Sequence, residues 1–559
     1  MNSSTLLARL TVEALRRAGV RHVVLSPGAR SAPLAYALQA AGDALDLRVR
    51  HDERVAAFTA LGASGAVVTT SGTAAANLHP AVLEAHHGHR PLVVITADRP
   101  RELRGTWANQ TSDLQSDLFG AAVGARLDLA DADAAKDPEV AMRALAETLA
   151  TIRSRPGPVH LDLGFSEPLV PNDDDAGEQL PVTPPPTWAP PTHPVSSPGR
   201  LEPGPRTIVV AGDVTDRGAP GQAREVALAA GWPLLAEPSS GVAGQAAVAA
   251  HRLLLELPEL GGSVERVVAY GRPTLSRPVT RLLSRPDVDL VLVTPDEHWP
   301  EPGRPATRVS RLDPASLPPA SGDREWARRW ALASWAARGA LDAALDAWAA
   351  EHPGELCGLL VARAAALAAR PGETLVAAAS NPIRDLDLVG HRIPAGVRVL
   401  SNRGLAGIDG TLATASGAAF GGSFVRALVG DLAFLHDAGA LLVPPGERRP
   451  DLQVVVLNDD GGGIFSLLEP GELAARGPAE AAVFERLFGT PHGTDLAALC
   501  AGYGVQHRSA HGPQELAAAL STPGPGTGVV EVRADRTHLR ALHAQVRARV
   551  HDAVRATLA

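Results

Sequence analysis

The sequence predicts an α/β protein of three open, mostly parallel-sheet domains. Three observations carry that prediction. Short, β-branched apolar runs alternate with helical patterns along most of the 559 residues, which is the signature of a parallel sheet wrapped by helices. A chain of this length implies three or four domains. The alternation is interrupted by a proline-dense stretch, 179–205, that can form neither a helix nor a central strand and reads as a semi-rigid linker. The expected division is a first domain at 1–178, the linker, a central domain at 206–325 and a third domain at 326–559.

The elements follow in order. The opening MNSSTLLARLTVEALRRAG reads as an amphipathic helix and not as a signal peptide. RHVVLS (21–26), AVVTTS (66–71), PLVVITA (91–97) and PVHLDLG (158–164) read as strands, and LDLRVR (45–50) alternates like a short one. HDERVAAFTALG starts a helix with Glu53 in its first turn; nine residues, 53–61, would be about 13 Å long. TIVVAG (207–212), RVVAYG (266–271) and DLVLVT (289–294) carry the central domain. WARRWALASWAARGALDAALDAWAA (326–350) is a long helix whose Trp326, Trp330 and Trp348 recur at near-helical spacing, as core residues do. TLVAAAS (374–380), VRVLSN (397–402), VRALVGD (425–431), LQVVVLND (452–459) and GVVEVRA (528–534) form the third set, which resembles the first in pattern.

Composition excludes several chemistries. The chain is 45% hydrophobic and 20% charged with net charge −9, so nucleic acid is not an expected partner. Two distant cysteines, Cys357 and Cys500, fit a reduced, cytoplasmic setting and no cysteine-rich zinc site. No window has 18 uninterrupted apolar residues, so no membrane span is expected. Lys136 is the only lysine and lies in the polar stretch DADAAKDPE. A buried Schiff-base lysine and a P-loop are therefore both absent. HExxH and GxSxG are absent as well.

Several turns are candidates for ligand contact. SPGARSAP (26–33) joins a strand to a helix and offers Arg30 to an anion. TTSGTAAANLHPA (69–81) presents Ser71, Gly72 and Thr73 at a second such turn. Either is equally read as a tight turn with solvated side chains. HHGH (86–89) reads as a helix end before a metal site. The third domain is sharper. Gly430 and Asp431 end one apolar strand, and Asn458 ends another after 26 intervening residues. Both clusters sit where open α/β sheets bind ligands. Asp431, an oxygen from Asn458-Asp459-Asp460 and a backbone carbonyl make a hard-cation set suited to Mg²⁺ held jointly with phosphates. Gly461, Gly462 and Gly463 let the backbone approach a diphosphate. Glu53, taken alone, is explained by the helix dipole.

GD, then about 25–30 residues, then N-[ND] after an apolar strand resembles the diphosphate–Mg²⁺ signature of thiamine-diphosphate enzymes. That family also has a helix-start glutamate in the first of three α/β domains, ordered pyrimidine-binding, central and diphosphate-binding. SPGARSAPL, HDERVAAF, TSGTAAANLHPAV, TADRPRELRGTWANQT, SNPIRDLD, SNRGLAGIDG, GDLAFLHD and NDDGGGIFSLLE, spanning 26 to 469, narrow the resemblance to 2-succinyl-5-enolpyruvyl-6-hydroxy-3-cyclohexene-1-carboxylate (SEPHCHC) synthases. One departure is a segment between the Glu53 helix and TTSGT several residues shorter than that family usually carries.

The resemblance implies a transferase of menaquinone biosynthesis that decarboxylates 2-oxoglutarate and adds the succinyl unit 1,4 to isochorismate, releasing CO₂. Its same-class alternative is another thiamine-diphosphate-dependent 2-oxoacid carboligase; the other is a catalytically impaired protein of this fold. It implies thiamine diphosphate and Mg²⁺, or Mn²⁺, as cofactors. Glu53 becomes the carboxylate on the aminopyrimidine and Ile408 the apolar wedge under the coenzyme. Ser71, Gly72, Thr73, Gly407, Gly430, Asn458, Gly462, Ile464 and Phe465 are the other implied cofactor contacts. Asp431, Asp459 and the Gly461 carbonyl are the implied metal ligands, with Asn458 or Asp459 left open for the second side chain. Arg30, Arg99, Gln110, Arg277, Ser380, Arg384 and Arg403 are implied for the substrate carboxylates. A homodimer or homotetramer with sites shared between subunits is also implied.

Overall fold

The computed structural model describes residues 1–173, 175, 179–182, 199–202, 205–214, 219–244, 246–295, 299–301, 303–317 and 324–559, without the side chains of residues 153 and 154. Most of the proline-dense stretch 179–205 therefore lies outside the described residues. The chain gathers into two compact units. The first comprises Met1–Thr192, Asn402–Ser423 and His436–Leu452; the second comprises His193–Ser401, Phe424–Leu435 and Gln453–Ala559.

The first unit is built on six strands: β1 (His22–Leu25), β2 (Asp46–Val49), β3 (Ala66–Thr69), β4 (Leu92–Asp98), β5 (Ala125–Ala130) and β6 (Pro158–Gly164), in the order β2-β1-β3-β4-β6-β5. Its pairings are parallel. β3, β4 and β6 are buried along their whole length, which is why they read as continuous apolar runs.

The second unit holds two sheets. β7 (Thr207–Ala211), β8 (Leu234–Ala236), β9 (Arg266–Tyr270), β10 (Asp289–Val293) and β11 (Thr307–Val309) are ordered β11-β10-β9-β7-β8. β12 (Thr374–Ala377), β13 (Arg398–Leu400), β14 (Val425–Gly430), β15 (Leu452–Asn458), β16 (Gln506–Ala510) and β17 (Thr527–Arg533) are ordered β13-β12-β14-β15-β17-β16. Counted along the chain, the first and last sheets share one order, second-first-third-fourth-sixth-fifth. In both, the strand order reverses between the first and third strands, the switch point beside which open sheets bind ligands. The three-sheet, mostly parallel α/β class predicted from sequence is the class observed.

The helix Arg324–Glu351 packs on the carboxy-terminal helix Leu539–Leu558. Trp326, Trp330 and Trp348 are buried in the core it shares with both sheets of this unit, as their spacing predicted. Cys357 and Cys500 are buried and free. Among the described residues no helix is long and apolar enough to cross a membrane.

The Glu53 helix differs from expectation in its length. It runs Glu53–Ala63, eleven residues instead of nine. Ser64 adopts φ 53° and Gly65 N–H closes on Ala60 O at 2.9 Å, so the last turn is completed in the left-handed manner usual at helix ends. β3 begins at the next residue. The short segment between this helix and TTSGT is therefore the two-residue connection Ser64-Gly65 followed directly by β3, and the helix still buries Val55 through Leu61.

Candidate active site

In the first unit, the predicted residues gather where β1, β3 and β4 end. Arg30 donates from Nη1 to Phe165 O at 2.8 Å. Burial lowers its pKa, and the nearby positive charge of Arg99 lowers it further. Two cations that close together suit an anion bound between them. Arg99 donates from Nε to Asn109 O at 2.6 Å. Ser71 is buried, and its Oγ donates to Gln110 O at 2.8 Å while Gln110 Nε2 donates to Ser71 O at 3.0 Å. Gln110 holds φ +59° and Gly72 φ +80°. Such backbone in a non-glycine residue persists only where the surroundings over-determine it. Thr73 is exposed at the start of the short helix Thr73–Ala76.

Beneath these turns lies a network that sequence reading missed. Gln115 Oε1 accepts the Gly72 N–H at 2.9 Å, and its Nε2 donates to Asp162 Oδ1 at 2.9 Å. The Arg104 guanidinium meets three carboxylates: Asp98 at 2.9 Å, Asp128 at 2.7 Å and Asp162 at 3.2 Å. Burial, then the charge of Asp98, pushes Asp162 up to about 7, and burial raises Asp98 as well. Arg104 thus pins the segment carrying Arg99 and Gln110 to the ends of β4 and β6. The available signal was its place within ADRPRELRGTWANQT.

Glu53 is the half-buried first residue of its helix; the Asp52 side chain caps that helix by accepting Val55 N–H at 3.0 Å. Residues 402–410, carrying Arg403, Gly407 and Ile408, group with this first unit. Arg403 is buried, while Gly407 and Ile408 are half-buried.

In the second unit the predicted diphosphate and metal residues converge. Asp431, 1% exposed, follows Gly430 at the end of β14. Its Oδ1 accepts Leu432 N–H at 2.6 Å and its Oδ2 accepts Gly461 N–H at 2.8 Å. Asn458 ends β15 with both polar side-chain atoms engaged: Nδ2 donates to Glu531 at 2.7 Å and Oδ1 accepts Asp460 N–H at 3.1 Å. Asp459 is pushed up to about 7, first by burial and then by the charge of Asp431; burial raises Asp431 too. Two neighbouring acids, Asp431 buried and Asp459 half-buried, each raised by desolvation, form a donor set completed by a cation. His492, which no sequence motif singled out, places Nε2 3.2 Å from Asp431 Oδ2. Gly461 has φ +138°, and a Cβ there would stand 1.9 Å from Gly489 O, so the cradle requires glycine. Gly462 donates its N–H to Gly489 O at 2.7 Å. Ile464 and Phe465 lie on the turn Gly463–Leu467, with Phe465 packed 5.6 Å from Phe488 between ring centroids.

Ser380 precedes the helix Asn381–Leu388, and Arg384 donates from Nη1 to Ser380 O at 2.8 Å. Arg277 is exposed and its fork is filled by Glu469, at 2.8 and 3.3 Å. Among the described residues no three His, Cys, Asp or Glu side chains gather to hold a metal ion. A cation at Asp431 and Asp459 would therefore depend on backbone, water or phosphate oxygens for its remaining ligands.

The family model described as thiamine pyrophosphate enzyme, N-terminal TPP binding domain, matches residues 6–118. A protein of Kineococcus radiotolerans named 2-succinyl-5-enolpyruvyl-6-hydroxy-3-cyclohexene-1-carboxylate synthase is 50% identical over 99% of this chain and 100% of its own. Proteins of the same name from an Arthrobacter species and from Renibacterium salmoninarum are 47% and 46% identical, over 99% and 98% of this chain and 93% and 97% of theirs.

Proposed function

The chain belongs to the 2-succinyl-5-enolpyruvyl-6-hydroxy-3-cyclohexene-1-carboxylate synthase family of thiamine-diphosphate enzymes, and from that premise we propose that it is a transferase joining 2-oxoglutarate, with loss of CO₂, to isochorismate in menaquinone biosynthesis. Thiamine diphosphate, when bound, supplies the electron sink that a 2-oxoacid decarboxylation needs. The chain's own residues bind, orient and keep out water.

Asp431, Asp459 and the Gly461 carbonyl would hold Mg²⁺ or Mn²⁺ against the diphosphate. The observation that carries the reading is the pair of carboxylates Asp431 and Asp459, both raised by desolvation and Asp459 also by the charge of Asp431, beside a glycine cradle. Because both polar atoms of Asn458 are occupied within the protein, Asp459 is favoured over Asn458 as the second side-chain ligand. Gly430, Asn458 and Gly462 would form the cradle around the diphosphate. Ile464 and Phe465 would wall the reacting carbon from water. Ser71, Gly72, Thr73, Gly407 and Ile408 would complete the coenzyme contacts, and Glu53 would hydrogen-bond the aminopyrimidine.

The two substrates bring four carboxylates, which call for guanidinium forks and neutral donors. Arg30, Arg99, Gln110, Ser380, Arg384 and Arg403 fit that demand. Arg277 fits it only when Glu469 lets go. We read the assembly as a cytoplasmic homodimer or homotetramer in which neighbouring subunits share each coenzyme. Replacing Glu53 by Gln tests the reading: turnover of isochorismate with 2-oxoglutarate should fall at least ~100-fold with the fold intact. Wild-type rates would remove Glu53 from the mechanism.

A further inference from the structure

Residues 404–410 form no helix or strand, so no regular hydrogen-bond ladder holds them in place. Two buried acids outside the predicted site supply hydrogen bonds at either end of this stretch. Glu84, on the helix His79–His87, is 3% exposed. One of its carboxylate oxygens accepts the Gly404 N–H at 2.6 Å and the other accepts the Leu405 N–H at 2.7 Å. Both are short, charge-assisted bonds. The loop lies close against this helix, because a Cβ on Gly404 would stand 2.2 Å from Glu84 O. At the far end, fully buried Asp437 accepts the Ala413 N–H at 2.8 Å through Oδ2. That N–H belongs to the first turn of the helix Thr411–Ala418, where backbone donors lack partners within the helix. Asp437 Oδ1 lies 3.9 Å from Arg54 Nη2. Arg54, the residue after Glu53, also places Nη1 3.0 Å from His436 Nδ1 and donates from Nη2 to His436 O at 3.0 Å.

We propose that Glu84 and Asp437 are positioning residues that clamp the loop 404–410 from its two sides, at Gly404 and Leu405 and at Ala413, and so set where Arg403 and Ile408 stand. For what Arg403 and Ile408 touch, the proposal rests on the function proposed above. Through Arg54, the Asp437 end of the clamp also faces the start of the Glu53 helix. The wedge loop and the acid are thereby referred to one buried carboxylate.

Glu84→Gln keeps the shape of the side chain but turns an NH₂ toward a backbone N–H. Gly404→Ala leaves the carboxylate in place and drives the loop off the helix, so it serves even if the first variant fails to fold. Hydrogen exchange followed by mass spectrometry on the coenzyme-free protein reads the clamp directly. In both variants exchange over 402–410 should quicken at least ~10-fold, with β3 and β4 unchanged. In steady-state assays kcat/KM for the two substrates should fall at least ~10-fold, mainly through KM. Unchanged exchange over 402–410 in both variants overturns the clamp. Faster exchange with unchanged kcat/KM upholds the clamp and overturns the reading that Arg403 and Ile408 meet ligands.

Discussion

At the scale of single residues, the turns that follow strands told most about function. Arg30 and Ser71 were visible as polar residues in turns after strands, Arg99 and Gln110 only through the resemblance of their motif, and the four gather around one set of strand ends. Arg104, Gln115, Asp162 and His492 were not visible, because most of their partners lie tens of residues away and no local spacing records them. Arg104 is the instructive case, since its guanidinium meets two deeply buried acids at once. Arg104→Ala takes the guanidinium away from Asp98 and Asp162 in a low-dielectric interior, and removing one partner of a buried pair costs about 3–5 kcal/mol. Urea unfolding should show a loss of that order, whereas an effect no larger than that of an exposed ion pair would mean the network is solvated. Asn458 against Asp459 was undecidable from sequence because both follow the same strand. The hydrogen bonds of Asn458, and not its identity, are what favour Asp459 in the function proposed above.

At the scale of elements, apolar runs located the strands in the middle of each sheet but missed four of the six at the edges, reading only β2 and β13 there. β5, β8, β11 and β16 went unread, and all four lie at the end of their sheet. β5, β11 and β16 are partly exposed along their length, so their composition is mixed. β8 is buried but only three residues long. The Glu53 helix was read two residues short because a left-handed end at serine leaves no mark as plain as a glycine would. Its junction with β3 makes a specific prediction. A Cβ on Gly65 would stand 2.3 Å from His22 O on the neighbouring strand β1. With backbone on the receiving side, Gly65→Ala should destabilise by about 1–3 kcal/mol, the usual range for overpacking a filled interior. A melting temperature equal to that of the parent would show that the junction has room to relax.

At the scale of the whole molecule, buried acids set the response to pH. Burial is the leading cause that pushes Asp162 and Asp385 up to about 7 and Asp437 up to about 8, from an ordinary 3.8. Each holds its proton more firmly folded than unfolded, so each withdraws stability as pH rises from about 4 toward its folded value. Burial also lowers His160 to about 4 and His543 to about 3. Those two act in the opposite sense, adding stability as pH rises, and their contribution is complete by about 6.5. Between pH 6.5 and 8 the aspartates act alone. The urea midpoint of coenzyme-free protein should therefore fall across that interval, and Asp437→Asn should make the fall shallower. A midpoint that climbs from pH 6.5 to 8 would contradict the assignment.

The junction of Ser64 and Gly65 has a mechanical consequence. A tether with no spare length transmits displacement instead of absorbing it, so the helix that begins with Glu53 cannot slide along its axis without dragging β3. That strand is gripped on both sides, by β1 and β4. The acid at the far end of the helix thus inherits the stiffness of a six-stranded sheet, though it stands at the border of a turn.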